Sequence, residues 1–274
     1  GLGPARFLLD QATGGALSKH GIWHADVPRT VERARALGLV VSGLHVHIGS
    51  GTDLEHLERA SAALRDCAAP CLDTLTSLSA GGGLSVPYRE GEARVDLERH
   101  LRVWNDTRLE LERRAGRALA LELEPGRYIA AECGVLLTRV RGLKASGGVD
   151  YVLVDAGFNN LIRPALYGAF HEISVVGRDG EARTPQVVAG PLCESADVFT
   201  QAKGGAVVPR DLPRAQEGDL VCIHDTGAYA AAMASNYNSQ LLAAEVLVHN
   251  GAARLVRARQ TFDQLLGPEL ECLG

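Results

Sequence analysis

The sequence predicts an α/β first part followed by an all-β second part, on three observations. As far as residue 132, apolar runs alternate with amphipathic stretches, which is the pattern of a parallel sheet or an α/β barrel. Beyond it, short apolar runs succeed one another with little but turn residues between them, as in an antiparallel barrel or sandwich. Polar, glycine-rich segments end several of these runs, which places chemistry at strand ends.

Residues 1–25 read as loop. Pro28 suits the first turn of a helix over residues 27–38, with Gly38 at its end. Leu39–Ile48 reads as a strand. Leu54, Leu57, Ala60 and Leu64 recur at helical spacing, so Leu54–Cys67 reads as a helix. Leu75–Ala80 is a short strand ending at three glycines. Val95–Arg114 is a long helix with Arg and Glu on its outer face, and Ala118–Leu123 is a third strand. In the second part the strand candidates are Val135–Val140, Tyr151–Val154, Ile173–Val176, Gln186–Ala189, Leu220–His224 and Glu245–Asn250. Pro164 argues against a long helix through Arg163–Tyr167 and for a loop there. The domains are expected at 1–132 and 133–274. Three strands are too few for a closed eight-stranded barrel, so the first part is a smaller open sheet or the C-terminal half of a barrel. The start at Gly1, without Met, favours the second option and a chain that begins inside a longer gene product.

Composition narrows the function. The chain has 274 residues, 46% hydrophobic, with 28 Lys and Arg against 33 Asp and Glu, a net charge of -5. That is ample for a core, and the mild acidity argues against nucleic acid as the main partner. No apolar run approaches membrane-spanning length. Six scattered cysteines form neither a disulfide framework nor a zinc pattern, which suits a reducing cytoplasm.

Six segments carry candidate chemistry. Gly81-Gly82-Gly83 after a strand can turn backbone N–H groups toward an anion, although a lone triple glycine is more often a turn. Ser50 and Gly51 add a hydroxyl and a further N–H. His45 and His47 point the same way on a strand; no third metal ligand is near, so one suits stacking on a flat cofactor and the other a structural role. Glu124 in Glu124-Pro125-Gly126-Arg127 suits a protonated ring nitrogen or a salt bridge to Arg127, and Arg127 suits Glu124, a phosphate or a carboxylate. Cys193 and Glu194, in Gly-Pro-Leu-Cys-Glu-Ser, suit a proton donor and an amine-binding carboxylate; a plain buried cysteine is the bland alternative. Tyr229 suits a phosphate or substrate contact, or else a core plug, and Arg163 a substrate contact or a solvated cation.

Taken together, His45 to Gly51, Ala80 to Gly83, Glu124 to Arg127, Asp155 to Tyr167, Gly190 to Asp197 and Gly227 to Asn238 resemble the diaminopimelate decarboxylase family of pyridoxal-phosphate enzymes. Ser18 to Ile22 also resembles a family segment. The resemblance implies the C-terminal part of a TIM-type (β/α)₈ barrel that binds pyridoxal 5'-phosphate, followed by a Greek-key-like β-barrel, in a head-to-tail homodimer with shared active sites. It implies that His47 stacks on the cofactor ring and that Ser50, Gly81, Gly82, Gly83 and Tyr229 hold the phosphate. Glu124 would pair with the ring nitrogen, within the segment that includes Pro125 and Gly126. Arg127, Arg163, Tyr167 and Tyr229 would bind substrate. Cys193, as proton donor, and Glu194, on the distal end of the amino-acid substrate, would reach into the neighbouring subunit's site. The family's cofactor-anchoring lysine stands in a Tyr-x-x-Lys-Ala setting; the only lysines here are Lys19, Lys144 and Lys203, and none has it.

Overall fold

The computed structural model describes residues 19–49, 51 and 53–273. The expected loop over residues 1–18, and Ser50, lie outside them. The chain forms two compact units, Gly1–Ile129 and Ala130–Gly274.

In the first unit α1 (Val27–Ala36) carries Pro28 in its first turn, where proline's missing N–H forfeits no helical bond. Gly38, at φ 73°, follows its end. Among the described residues, strand β1 (Gly43–His45) pairs only with β2 (Ser77–Ser79), in parallel. It is shorter than the apolar run Leu39–Ile48 because no ladder partner extends it, and Leu39 and Val40 are exposed. Between these strands runs α2 (Leu54–Cys67), capped by Asp53, which accepts from the His56 N–H at 2.9 Å. After β2 comes α3 (Leu97–Ala115), capped by Asp96 and ended by Gly116 at φ 68°. Strand β3 (Ala120–Glu122) pairs in parallel with β2, and α4 (Gly126–Ala130) follows. Parallel neighbours need crossovers, which α2 and α3 supply. Leu64, Leu75, Leu78, Trp104 and Leu111 are fully buried in this core. At about 1.5–3 kcal/mol for each large apolar side chain, this burial outweighs the propensity of the individual helices.

In the second unit β4 (Leu136–Ser146) and β5 (Val149–Val154) form a hairpin across Gly147 and Gly148, both at positive φ. A double-glycine turn fits the strand twist. Next come α5 (Arg163–Tyr167), β6 (Ile173–Val175), β7 (Arg183–Ala189), β8 (Arg210–Pro213) and β9 (Leu220–Ile223). The strand order is β6-β9-β4-β5-β7-β8. Every pair is antiparallel except β5–β7, which is parallel, so the all-antiparallel expectation needs that correction. The first and last strands of that order, β6 and β8, lie against each other, so the sheet curls nearly closed. Val140, Val152, Ile173, Val188, Leu212 and Ile223 fill it. Strands β10 (Glu245–His249) and β11 (Ala252–Arg257) form a separate antiparallel hairpin, and α6 (Phe262–Leu273) follows.

Four elements escape the sequence reading: α4, β8, β11 and α6. Strand β8 ends in Pro213, which an edge strand tolerates. Pro268 disguises α6, yet its start is marked by a reciprocal cap. The Gln264 N–H donates to Thr261 Oγ at 3.2 Å, and the Thr261 N–H donates to Gln264 Oε1 at 2.9 Å. Arg163–Tyr167 is a short helix rather than a loop, because Pro164 sits in its first turn and Gly168, at φ 62°, stops it. Lys144 lies in β4.

Candidate functional site

In the first unit the C-terminal ends of three parallel strands bring the sequence-predicted residues together. His47 follows β1, the triple glycine follows β2 and Glu124 follows β3. The strands are pinned in register beyond their formal ends: the Val46 N–H donates to Ser79 O at 3.0 Å, and the Glu124 N–H donates to Gly81 O at 2.8 Å. Glycine is needed at both loop positions by this close approach. A Cβ on Gly81 would lie 2.3 Å from Val46 O, and one on Gly82 would lie 2.6 Å from Glu124 O.

The loop's N–H groups are not equivalent. Gly82 donates to His47 Nδ1 at 3.1 Å, and Gly81 donates to Ser79 Oγ at 3.2 Å. Among the described residues the Gly83 N–H meets no acceptor, so of the three it is the donor left for an anion. Ser79 Oγ donates in turn to Glu124 Oε1 at 3.1 Å, and His45 Nε2 lies 3.4 Å from the same oxygen. The Glu124 side chain is 59% exposed, so it is not locked into a buried pair. Arg127, in α4, sits over the Tyr88 ring with its guanidinium carbon 5.8 Å from the centroid. His45, His47 and Glu124 line a cavity of ≈ 600 Å³ together with Val27, Val31 and Leu44, a size that suits a small heterocycle.

Accepting from Gly82 fixes His47 in the tautomer with its proton on Nε2. Burial, and then the neighbouring His45, push its pKa below the usual 6.5. A histidine lowered in the folded state stabilises the fold fully above 6.5, and that contribution is lost as the pH falls through the lowered value. Buried His100 is lowered by desolvation in the same direction. Urea titrations from about pH 7.5 down to about pH 5.5 should therefore show falling stability. His47→Gln should flatten part of that slope. A variant with the wild-type slope would contradict the assignment of His47.

In the second unit three segments meet. Asp197 is buried, and its carboxylate accepts from the Phe158 N–H at 2.7 Å and the Leu192 N–H at 2.8 Å, tying the Gly190–Asp197 loop to the segment after β5. Burial pushes the Asp197 carboxyl up in pKa, and the two N–H donors push it back. The Cys193 N–H donates to Asn238 Oδ1 at 3.1 Å, and its side chain is exposed. The Ala196 N–H, with the Ser195 and Tyr237 hydroxyls, holds Glu194 below the usual carboxylate range. Phe158 and Tyr237 pack ring to ring at 4.9 Å.

Arg163 is 4% exposed, which excludes a solvated surface cation. Its Nη1 donates to His171 Nε2 at 2.8 Å, and its guanidinium carbon lies 5.9 Å from the Tyr229 centroid. His171 must then carry its proton on Nδ1, which donates to His224 O at 2.8 Å. Tyr167 is half-buried in α5. Tyr229 stands at φ 62° and is 40% exposed, so it is no core plug. Sequence reasoning missed Ser79, Asp197, His171, Tyr237 and Asn238 as partners of these groups, although all but His171 lie inside segments it had quoted. Among the described residues no group of three or more His, Cys, Asp or Glu could hold a metal ion, and no helix is long and apolar enough to cross a membrane.

Residues 26–227 match the family described as pyridoxal-dependent decarboxylase, C-terminal sheet domain, and the chain belongs to that family. It is 50% identical over 263 residues to diaminopimelate decarboxylase of Escherichia coli, covering 94% of this chain and 63% of that protein. Its identity to the Streptomyces coelicolor diaminopimelate decarboxylase is 49%, over 94% of this chain and 60% of the relative. A crystal structure of diaminopimelate decarboxylase matches with a TM-score of 0.92 at 49% identity, covering 94% of this chain and 63% of that one. The Helicobacter pylori diaminopimelate decarboxylase complexed with L-lysine matches with a TM-score of 0.85 at 31% identity, covering 97% and 64%. The chain thus spans less than two thirds of the length of these relatives.

Proposed function

We propose that this protein serves in the decarboxylation of meso-2,6-diaminopimelate to L-lysine and CO₂, the last step of lysine biosynthesis, with pyridoxal 5'-phosphate as cofactor. The observation that carries this reading is the neutral imidazole of His47 beside the outward carboxylate of Glu124 at adjacent parallel-strand ends, in a chain half identical to curated diaminopimelate decarboxylases. In this reading residues 1–132 are the C-terminal part of a (β/α)₈ barrel and residues 133–274 a Greek-key-like barrel domain. The protein works as a homodimer in the cytoplasm, a compartment that suits its six free cysteines.

The residues present fit that cofactor. The Gly83 N–H suits a phosphate oxygen, and Ser50 and Tyr229 are assigned to the same group. A neutral His47 would take the face of a flat ring without adding positive charge to it. Glu124 suits a protonated ring nitrogen and holds the proton there. When bound, the cofactor supplies a sink for the electron pair left on the substrate's Cα as CO₂ departs. Arg163, with Arg127, Tyr167 and Tyr229, binds substrate carboxylate, where a guanidinium gives paired, charge-assisted bonds. Glu194, anionic at neutral pH, takes the distal ammonium of the substrate, and the Cys193 thiol returns a proton to Cα.

The test is lysine release from diaminopimelate, with ornithine and arginine in parallel. Decarboxylation of either alternative but not of diaminopimelate would refute the substrate. Glu194→Ala should raise KM for diaminopimelate about tenfold or more while cofactor absorbance stays near wild type. Equal loss of both would remove Glu194 from substrate recognition. A second reading is a non-catalytic cofactor-binding module. Absence of lysine release with any substrate, alongside intact cofactor binding, would select it.

A further inference from the structure

We infer that Ser79 is a positioning residue for Glu124: its hydroxyl couples the ring-nitrogen carboxylate to the triple-glycine loop. The inference rests on the assignment of Glu124 made under the proposed function and adds a residue to it. Ser79 is the last residue of β2, in the central strand of the three, and is 7% exposed. Its Oγ has one proton to give and lone pairs to receive. It gives the proton to Glu124 Oε1, 3.1 Å away, and receives the Gly81 N–H at 3.2 Å. The backbone closes the same loop from the other side, where the Glu124 N–H donates to Gly81 O at 2.8 Å.

The consequence is directional. Glu124 is largely exposed, and an exposed glutamate samples several rotamers unless something holds it. Ser79 and His45 both address Oε1, and among the described residues Oε2 meets no partner. The hydroxyl thus selects which carboxylate oxygen faces an incoming N–H donor. It also ties that choice to the loop whose Gly82 orients His47. Ring nitrogen, ring face and phosphate are three points on one rigid cofactor, so a coupling that fixes their receivers relative to one another lowers the cost of binding.

The experiment uses the complete protein loaded with pyridoxal phosphate labelled with ¹⁵N in the ring. It reads the ring-nitrogen chemical shift and the cofactor dissociation constant. Ser79→Ala should move the shift toward that of the unprotonated nitrogen and weaken cofactor binding about tenfold, and Ser79→Thr, which keeps the hydroxyl, should restore both. Glu124→Gln is the control. If Glu124→Gln moves the shift and Ser79→Ala does not, Ser79 is a plain structural serine and the inference fails while the role of Glu124 stands. If Glu124→Gln leaves the shift unmoved, the assignment of Glu124 falls and the inference falls with it. Should Ser79→Ala not fold, Ser79→Cys gives the same comparison with a near-isosteric, weaker donor.

Discussion

Alanine at Gly81 is expected to destabilise the first unit by about 3 kcal/mol or more, among the larger effects of any single substitution. Two costs add. Gly81 stands at φ 62°, where a Cβ costs about 1–2 kcal/mol through its clash with the backbone. The new methyl would also meet Val46 O at 2.3 Å and His47 Cα at 3.0 Å, both backbone atoms that no rotamer change can move. Relief would need the end of β1 to part from the end of β2, which displaces His47 from Gly82. Gly91→Ala is the natural comparator, since Gly91 has φ 81° with nothing within 4 Å of its Cβ, so it bears the first cost alone. Urea midpoints of the two variants should differ clearly. Equal midpoints would mean that the strand ends yield easily and that Gly81 is no more than a turn residue.

Asp197→Asn should cost the second unit about 2–4 kcal/mol. A carboxylate offers acceptors on both oxygens, and both are in use, one by Phe158 and the other by Leu192. An amide keeps one acceptor and turns an NH₂ group on the remaining N–H, which leaves a buried donor without a partner. There is little space to rearrange: a Cβ on Gly190 would fall 2.2 Å from one Asp197 oxygen. The loop that carries Cys193 and Glu194 should loosen, seen as faster hydrogen exchange at the Leu192 and Phe158 amides. Exchange at wild-type rates in the variant would show that the loop is held by something else. Because Asp197 touches neither Cys193 nor Glu194 through its carboxylate, loss of activity here would be loss of placement.

Much of this was legible in the residues, for reasons that differ by element. Leu54–Cys67 is read to its ends because its apolar spacing is local. The short β1 is not, because an apolar run such as Leu39–Ile48 does not state whether a neighbour strand exists to complete its ladder. The segments holding His47, the triple glycine, Glu124 and Cys193 stand out as polar interruptions of apolar runs. Their partners do not. Ser79 and Glu124 are 45 residues apart, and Phe158 and Asp197 are 39 apart, so only the folded chain reveals who holds whom. The buried state of Arg163 was illegible for the same cause, since it depends on His171 and on the Tyr229 ring.

The one parallel pair in the second sheet, β5 with β7, has a kinetic corollary. A chain can zip β4 onto β5 across two glycines at once, but it must wander through residues 155–182 before β7 finds β5. Arg163 and Tyr167 ride on that detour. The segment that carries them should therefore order after the β4–β5 hairpin in refolding.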